Sequence, residues 1–201
     1  LADGLGLSGV VTGADFCFGK DRAGDAEALR TIGARFGMEA RVADAVSVDG
    51  GVGKISSSDV RQALRDGDPQ RAEALLGRPF AIEGAVVEGD RRGRTIGFPT
   101  ANMALGGYVR PAFGVYAVRA ALPGGRTAQG VANLGRRPTV AGTEARLETH
   151  LFDFAEDLYG QTLEVSLLAF IRGETRFDGL DALKAQIARD CDTARSILAR
   201  A

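Results

Sequence analysis

The spacing of hydrophobic positions changes part-way along this chain. In the first third, short apolar runs alternate with stretches of helical spacing. Leu7–Thr12 predicts a short buried strand. Asp25–Phe36 carries Ala28, Leu29, Ile32 and Phe36 at helical intervals, with Gly37 as its stop. Ala40–Val48 alternates as a strand does, and Gly50, Gly51 and Gly53 then predict a flexible loop. Ser57 or Ser58 is placed to cap a helix over Asp59–Arg65, and Pro69 opens another over Gln70–Leu76. This β-α-β-loop-α order predicts the last part of a parallel α/β domain.

Past Gly77-Arg78-Pro79 the texture becomes β-rich. Phe80–Val87, Gly114–Ala121, Thr127–Ala132, Glu144–Phe154 and Thr162–Ile171 read as strands separated by Gly/Pro turns. That spacing predicts an antiparallel barrel or sandwich. Leu180–Ala199 then sets Leu180, Leu183, Ile187, Ala194 and Leu198 on one face of a terminal helix. The expected division is therefore 1–76, an α/β part, and 77–201, a barrel closed by one helix.

Composition narrows the chemistry. The chain has 201 residues, with 25 Lys and Arg against 26 Asp and Glu, so any anion site must be local rather than a global field. With three tyrosines, ten phenylalanines and no tryptophan, it lacks the basic, aromatic surface of a nucleic-acid-binding barrel. No stretch approaches the roughly twenty apolar residues of a membrane span. Cys17 and Cys191 have no metal-ligand spacing and read as free thiols of a reducing cytoplasm. The start at Leu1, already inside an apparent element, reads as a truncation.

Two motif-like stretches fail on context. Gly4-Leu5-Gly6-Leu7-Ser8-Gly9 spells the dinucleotide pattern but has no strand before it, and a strand rather than a helix after it. Gly13–Lys20 is one residue too long for a P-loop and lacks the following Ser or Thr.

Residues 89–102 carry more. Gly89, Gly93 and Gly97 permit close backbone approach to a ligand, and Arg94 among the interleaved arginines can face phosphate oxygens. In an extended segment Thr100 and Asn102 point the same way, offering a hydroxyl and an amide oxygen to a hard cation such as Mg²⁺. A plain basic hairpin turn explains each feature singly. In this order, however, Gly89–Asn102 resembles the signature of the bacterial riboflavin kinase family, the C-terminal half of bifunctional riboflavin kinase/FAD synthetases. Gly114-Val115-Tyr116, Gly130–Thr139, Leu147–Phe154, Asp157–Gly160 and Phe170–Phe177 follow in the family's order. Upstream, Gly13–Lys20 and Ile55–Arg61 are similar to later motifs of the family's FMN adenylyltransferase domain.

The resemblance implies ATP- and Mg²⁺-dependent phosphorylation of riboflavin to FMN, and FAD synthesis in a longer parent. It places the catalytic base at Glu148, which on spacing alone would be a solvated strand carboxylate. It puts Gly89, Gly93, Arg94, Gly97, Thr100, Asn102 and Asn133 at the nucleotide, with Thr100 and Asn102 on the metal. It puts Arg172, Glu174, Phe177 and Arg189 near the flavin. Phe16, Phe18 and Gly19 would be remnants of an adenylyltransferase flavin loop, and Ser57, Ser58 and Arg61 of its second phosphate motif. The histidine-pair motif of that domain is absent, since His150 is the chain's single histidine. His150 itself is expected to be structural, hydrogen-bonded beside the site. The alternative is a flavin- or nucleotide-binding regulatory module without turnover, which would not need Thr100, Asn102 and Glu148 together. The expected partners are riboflavin, FMN, ATP and ADP, with no nucleic acid and no membrane, in a monomer or weak homo-oligomer.

Overall fold

The computed structural model describes residues 1–44, 55–89, 93, 96–139 and 142–200, with the backbone alone at 137–139, 142 and 143. The chain forms two compact units, Leu1–Ile55 and Ser56–Ala201.

The first unit holds a short helix α1 (Ala2–Leu5), strand β1 (Gly9–Gly13), helix α2 (Ala26–Arg35) and strand β2 (Glu39–Ala43). β1 and β2 pair in parallel, as the alternating order predicts. The Asp25 side chain caps α2 by accepting from the Ala28 N–H at 2.8 Å, and Gly37 follows at φ +66°. The dinucleotide-like stretch is a helix followed by a strand, the reverse of what that pattern needs. Strand β1 departs from the buried strand that the apolar run predicts. β1 is not buried: Val11 is 71% exposed, because α2 is the helix packed on this small sheet and a sheet has two faces. Residues 45–48 of the expected second strand and the glycine loop lie outside the described residues.

The second unit begins with helices α3 (Ser57–Arg65) and α4 (Pro69–Leu76). The cap of α3 is Ser56, one residue before the two expected, with its Oγ accepting from Asp59 N at 3.2 Å. Asp68 caps α4 and Pro69 occupies its first turn, where a missing N–H costs nothing. Six strands follow: β3 (Phe80–Ala85), β4 (Ala101–Ala104), β5 (Gly114–Ala121), β6 (Thr127–Thr139), β7 (Gly142–Leu151) and β8 (Thr162–Gly173). All are antiparallel, in the order β3-β8-β5-β6-β7-β4. The outer strands nearly meet, with Val87 bridging Asn102, so the sheet is an almost closed barrel. β6 runs further than periodicity predicts. Pro138 falls beyond the last β5 pair at Leu134, where no ladder bond is lost.

The barrel interior is apolar, built on Ile82, Met103, Tyr116, Leu134, Leu147, Leu163, Val165 and Leu167. Buried Tyr116 donates its hydroxyl to the Ala112 carbonyl at 2.6 Å, and burial pushes its ionisation well above the ordinary range. A second apolar cluster lies outside the barrel, where Val115, Ala117, Val131, Phe152 and Leu168 meet Cys191, Ala194 and Leu198 of the terminal helix α5 (Leu180–Leu198).

Candidate active site

One cross-strand rung builds the site. Asn102 on β4 lies opposite Glu148 on β7, Glu148 opposite Asn133 on β6, Asn133 opposite Val115 on β5, and Val115 opposite Arg172 on β8. Directly opposed residues share a face, so three polar side chains stand abreast on the outer wall. Leu147, Thr149 and Leu151 point inward and are buried, which leaves Glu148 on the outer face with His150.

Arg172 reaches this rung through two irregularities in β8. Register shifts between Val115 and Tyr116, and between Ala117 and Val118, leave Ile171 and Leu168 without counterparts on β5. The one at Leu168 turns Phe170 inward to face Tyr116, where strict alternation from the inward Leu163, Val165 and Leu167 would turn it outward. The one at Ile171 restores the alternation, so Arg172 points outward but stands opposite Val115, where an unbroken ladder would have set Phe170. There its guanidinium grips the buried Asp190 of α5, with Nη2 at 2.7 Å and Nε at 3.0 Å, while Nη1 donates to the Gly173 carbonyl at 2.9 Å. Gln186 donates a further bond to Asp190 at 2.8 Å. The Phe177 ring lies 5.7 Å from the guanidinium carbon.

Two cavities open here. The first, about 440 Å³, sits at one end of the barrel and is lined by Gly89, Thr100, Asn102 and Thr149, with Phe154, Leu158 and Tyr159. The second, about 330 Å³, lies between the outer wall and α5 and is lined by Asn133, Glu148, His150, Arg172, Glu174 and Phe177, among others. Thr100 lines both. A group bound at Thr100 is thus within reach of either chamber.

The glycines around this junction are there for space. A Cβ on Gly89 would lie 2.6 Å from the Asn102 side-chain amide, and one on Gly93 would strike the Phe98 carbonyl. Gly97 takes φ +90°, a conformation that disfavours other residues. Asn102, only 6% exposed, directs Nδ2 to the Thr100 carbonyl at 3.2 Å and to Thr100 Oγ1 at 3.4 Å. This orients the two side chains together. Among the described residues no cluster of three or more His, Cys, Asp or Glu could hold a metal. Neutral oxygens from Thr100 and Asn102 fit Mg²⁺ all the same, because that ion takes few protein ligands and completes its shell with phosphate oxygens and water.

The other expected residues distribute unevenly. Gly93 and Asn133 line the chamber of Glu148 rather than that of Gly89. Arg94 lies outside the described residues. Arg189 does not line either cavity: it is exposed, and its Nη2 donates to Gln186 Oε1 at 2.6 Å. Phe16 and Phe18 stack at 5.9 Å in the first unit and line a cavity of about 520 Å³ there. Gly19 precedes a short turn in that unit at φ +77°. Ser57, Ser58 and Arg61 belong to the second unit, where Arg61 Nη1 donates to Ser57 Oγ at 3.0 Å. Asp190, a charged residue that the helical spacing does not single out, is 3% exposed and holds Arg172. Its place one turn from Ile187, between apolar neighbours, was the available signal.

The riboflavin kinase (flavokinase) family model matches residues 76–198, more than half of the chain. The chain belongs to the riboflavin kinase family. A second family model, FAD synthetase, matches residues 1–59. The bifunctional riboflavin kinase/FMN adenylyltransferase of Escherichia coli K12 is 51% identical over 195 residues, covering 97% of this chain and 62% of that protein. The Bacillus subtilis protein of the same name is 39% identical over 191 residues, covering 93% and 59%. A solved structure described as a macrolide-efflux protein from Streptococcus pneumoniae is 40% identical, with a TM-score of 0.75, covering 91% of this chain and 58% of that one. Among the described residues here, no helix is long and apolar enough to cross a membrane. This riboflavin kinase family member spans 62% and 59% of the length of those two bacterial enzymes.

Proposed function

We propose that this chain transfers the γ-phosphoryl group of ATP to the 5′-hydroxyl of riboflavin, forming FMN and ADP. The observation that carries the reading is Thr100, shared by both cavities beside the Asn102–Glu148 pair. ATP takes the barrel-end chamber beside Gly89, and riboflavin takes the chamber beneath α5. The Glu148 carboxylate accepts the proton of the attacking hydroxyl as its oxygen bonds to the γ-phosphorus and the bond to ADP breaks. Thr100 and Asn102 would hold Mg²⁺, which supplies positive charge to the phosphate oxygens when bound. Phe177, Arg172 and Glu174 form the wall against which the isoalloxazine ring and ribityl chain are held.

Residues 77–201 are proposed to be the kinase domain, and 1–76 part of an FMN adenylyltransferase domain that in longer relatives would complete FAD synthesis. With neither cysteine in a disulfide, a cytoplasmic setting suits the reading. Riboflavin-dependent release of ADP by the purified 201-residue chain tests it. A chain that binds both substrates yet releases no ADP would leave only the regulatory-module reading.

A further inference from the structure

His150 stands two residues along β7 from Glu148, yet its ring is committed to a different task. Its Nδ1 lies 2.8 Å from the Pro99 carbonyl oxygen, across 51 residues of sequence. A carbonyl can only accept, so Nδ1 carries the hydrogen and donates it. The ring is held edge-on between two aromatics, Phe98 at 5.5 Å and Phe152 at 6.1 Å. Phe152 in turn belongs to the apolar cluster under α5. The chain of contacts therefore runs from the helix, through Phe152 and His150, to the segment that carries Thr100.

The bonded oxygen is not an incidental one. It belongs to the planar peptide that joins Pro99 to Thr100, so holding it fixes the orientation of the plane from which Thr100 departs. Proline contributes no N–H that could anchor the same segment to a neighbouring strand. Thr100 is also the residue common to both chambers.

We infer that His150 is a positioning residue for phosphoryl transfer: by holding the Pro99 carbonyl, it sets Thr100 at the junction of the two cavities. The inference rests on the reading of Thr100 as part of the metal–phosphate end. His150 acts through Thr100 and takes no proton from the substrate. Its hydrogen bond survives protonation of the ring, since Nδ1 carries a hydrogen in both forms.

The test is a double-mutant cycle on the purified chain, with kcat, the KM for each substrate and the Mg²⁺ dependence measured. His150→Phe keeps the aromatic stack and removes the donor. A misplacement of about 1 Å at a reacting group costs on the order of 10²-fold, so kcat should fall by about that factor, with a raised Mg²⁺ requirement and a nearly unchanged riboflavin KM. His150→Asn, whose amide nitrogen falls near the position of Nδ1, should recover at least about tenfold of that loss. In a Thr100→Ala background, His150→Phe should cost little more, because residues acting as one unit are not additive. Additive losses, or a wild-type rate and Mg²⁺ profile for His150→Phe, would overturn the inference. So would an Asn variant no better than Phe at equal thermal stability. If Thr100→Ala itself leaves ATP and Mg²⁺ dependence unchanged, the underlying reading of Thr100 fails instead. Should His150→Phe not fold, the Asn variant in the two backgrounds decides alone: a kcat loss of no more than about tenfold that shrinks in the Thr100→Ala background supports the inference, and a larger loss in a stable protein, or one fully additive with Thr100→Ala, sinks it.

Discussion

In the first unit, Leu29 and Met38 are the hydrophobic side chains buried below a tenth of their surface among the described residues. The second unit closes one apolar cluster inside a barrel and another beneath α5. Both units offer apolar residues, but a two-stranded parallel sheet with a single helix covers one face, and Val11, Ile32 and Phe36 stay exposed. A barrel turns every inward residue toward every other and leaves its outer wall for one helix to cover. The site follows the same division. In the barrel, polar residues from β4, β6 and β7 are held abreast by ladder register, whereas in the first unit Phe16 and Phe18 line an open groove with few buried neighbours. Precise placement needs neighbours that cannot move, and only the second unit has them.

The largest effect that would break this comparison is catalytic. Glu148→Gln keeps shape and removes the base, so FMN formation should fall by about 10²–10⁴-fold with riboflavin affinity retained, as calorimetry on the variant can check. A near-normal rate would remove the wall's central carboxylate from the chemistry. Next comes packing. Leu147→Ala should cost about 2–5 kcal/mol in urea unfolding, because Leu147 is fully buried in the barrel. Leu29→Ala, in the thinner unit, should cost distinctly less, and equal losses would erase the contrast.

The Arg172–Asp190 pair sharpens it further. Asp190→Asn leaves a partly buried guanidinium short of its counter-charge, and should raise the riboflavin KM more than the ATP KM, since both groups face the chamber of Glu148 alone. A change confined to ATP would reassign that wall. Smaller still is Tyr116→Phe, which strips the Ala112 carbonyl of its donor and should lower barrel stability by about 1 kcal/mol. Thermal melting would register no change if that carbonyl finds water.

The smallest effect is electrostatic and sits on the rim. Hydrogen bonds from Arg195, at 3.0 and 3.2 Å, together with its charge, hold the Asp153 carboxyl below its ordinary value. A depressed carboxyl contributes stability above its unfolded pKa and loses it as pH falls through the folded one. Asp153→Asn should therefore remove a slight, salt-sensitive increment that the parent shows at neutral pH and loses in acid. An equal difference between the two proteins at low and neutral pH would contradict that.

Much of this was legible in the residues themselves. The shift from mixed to β-rich texture at Gly77, the strand Gly114–Ala121, the terminal helix and the outward face of Glu148 all follow from local spacing. The short strand Ala101–Ala104 escaped periodicity because four residues carry too little pattern, and the Ser56 cap because three serines in a row compete for one position. The Gly89–Asn102 segment announced a ligand through its glycines, and the gap between Gly89 and the Asn102 amide gives those glycines a steric reason.

What the sequence determined by itself is therefore composition and period: which segments are strands, which face of each is apolar, and which residue types are available for phosphate and flavin. What only the tertiary structure decided is who stands beside whom. Asn102, Glu148, Asn133 and Arg172, far apart in sequence, are brought to one rung by strand pairing, since Arg172 lies opposite Val115, next to Asn133. Two bulges in β8, invisible to a period of two, slide its register by two residues against β5, so that Arg172 rather than Phe170 stands opposite Val115 and meets Asp190. Side-chain alternation is a local property of the backbone, but register is a property of two strands at once, and a shift of one residue reverses the face that every later side chain presents.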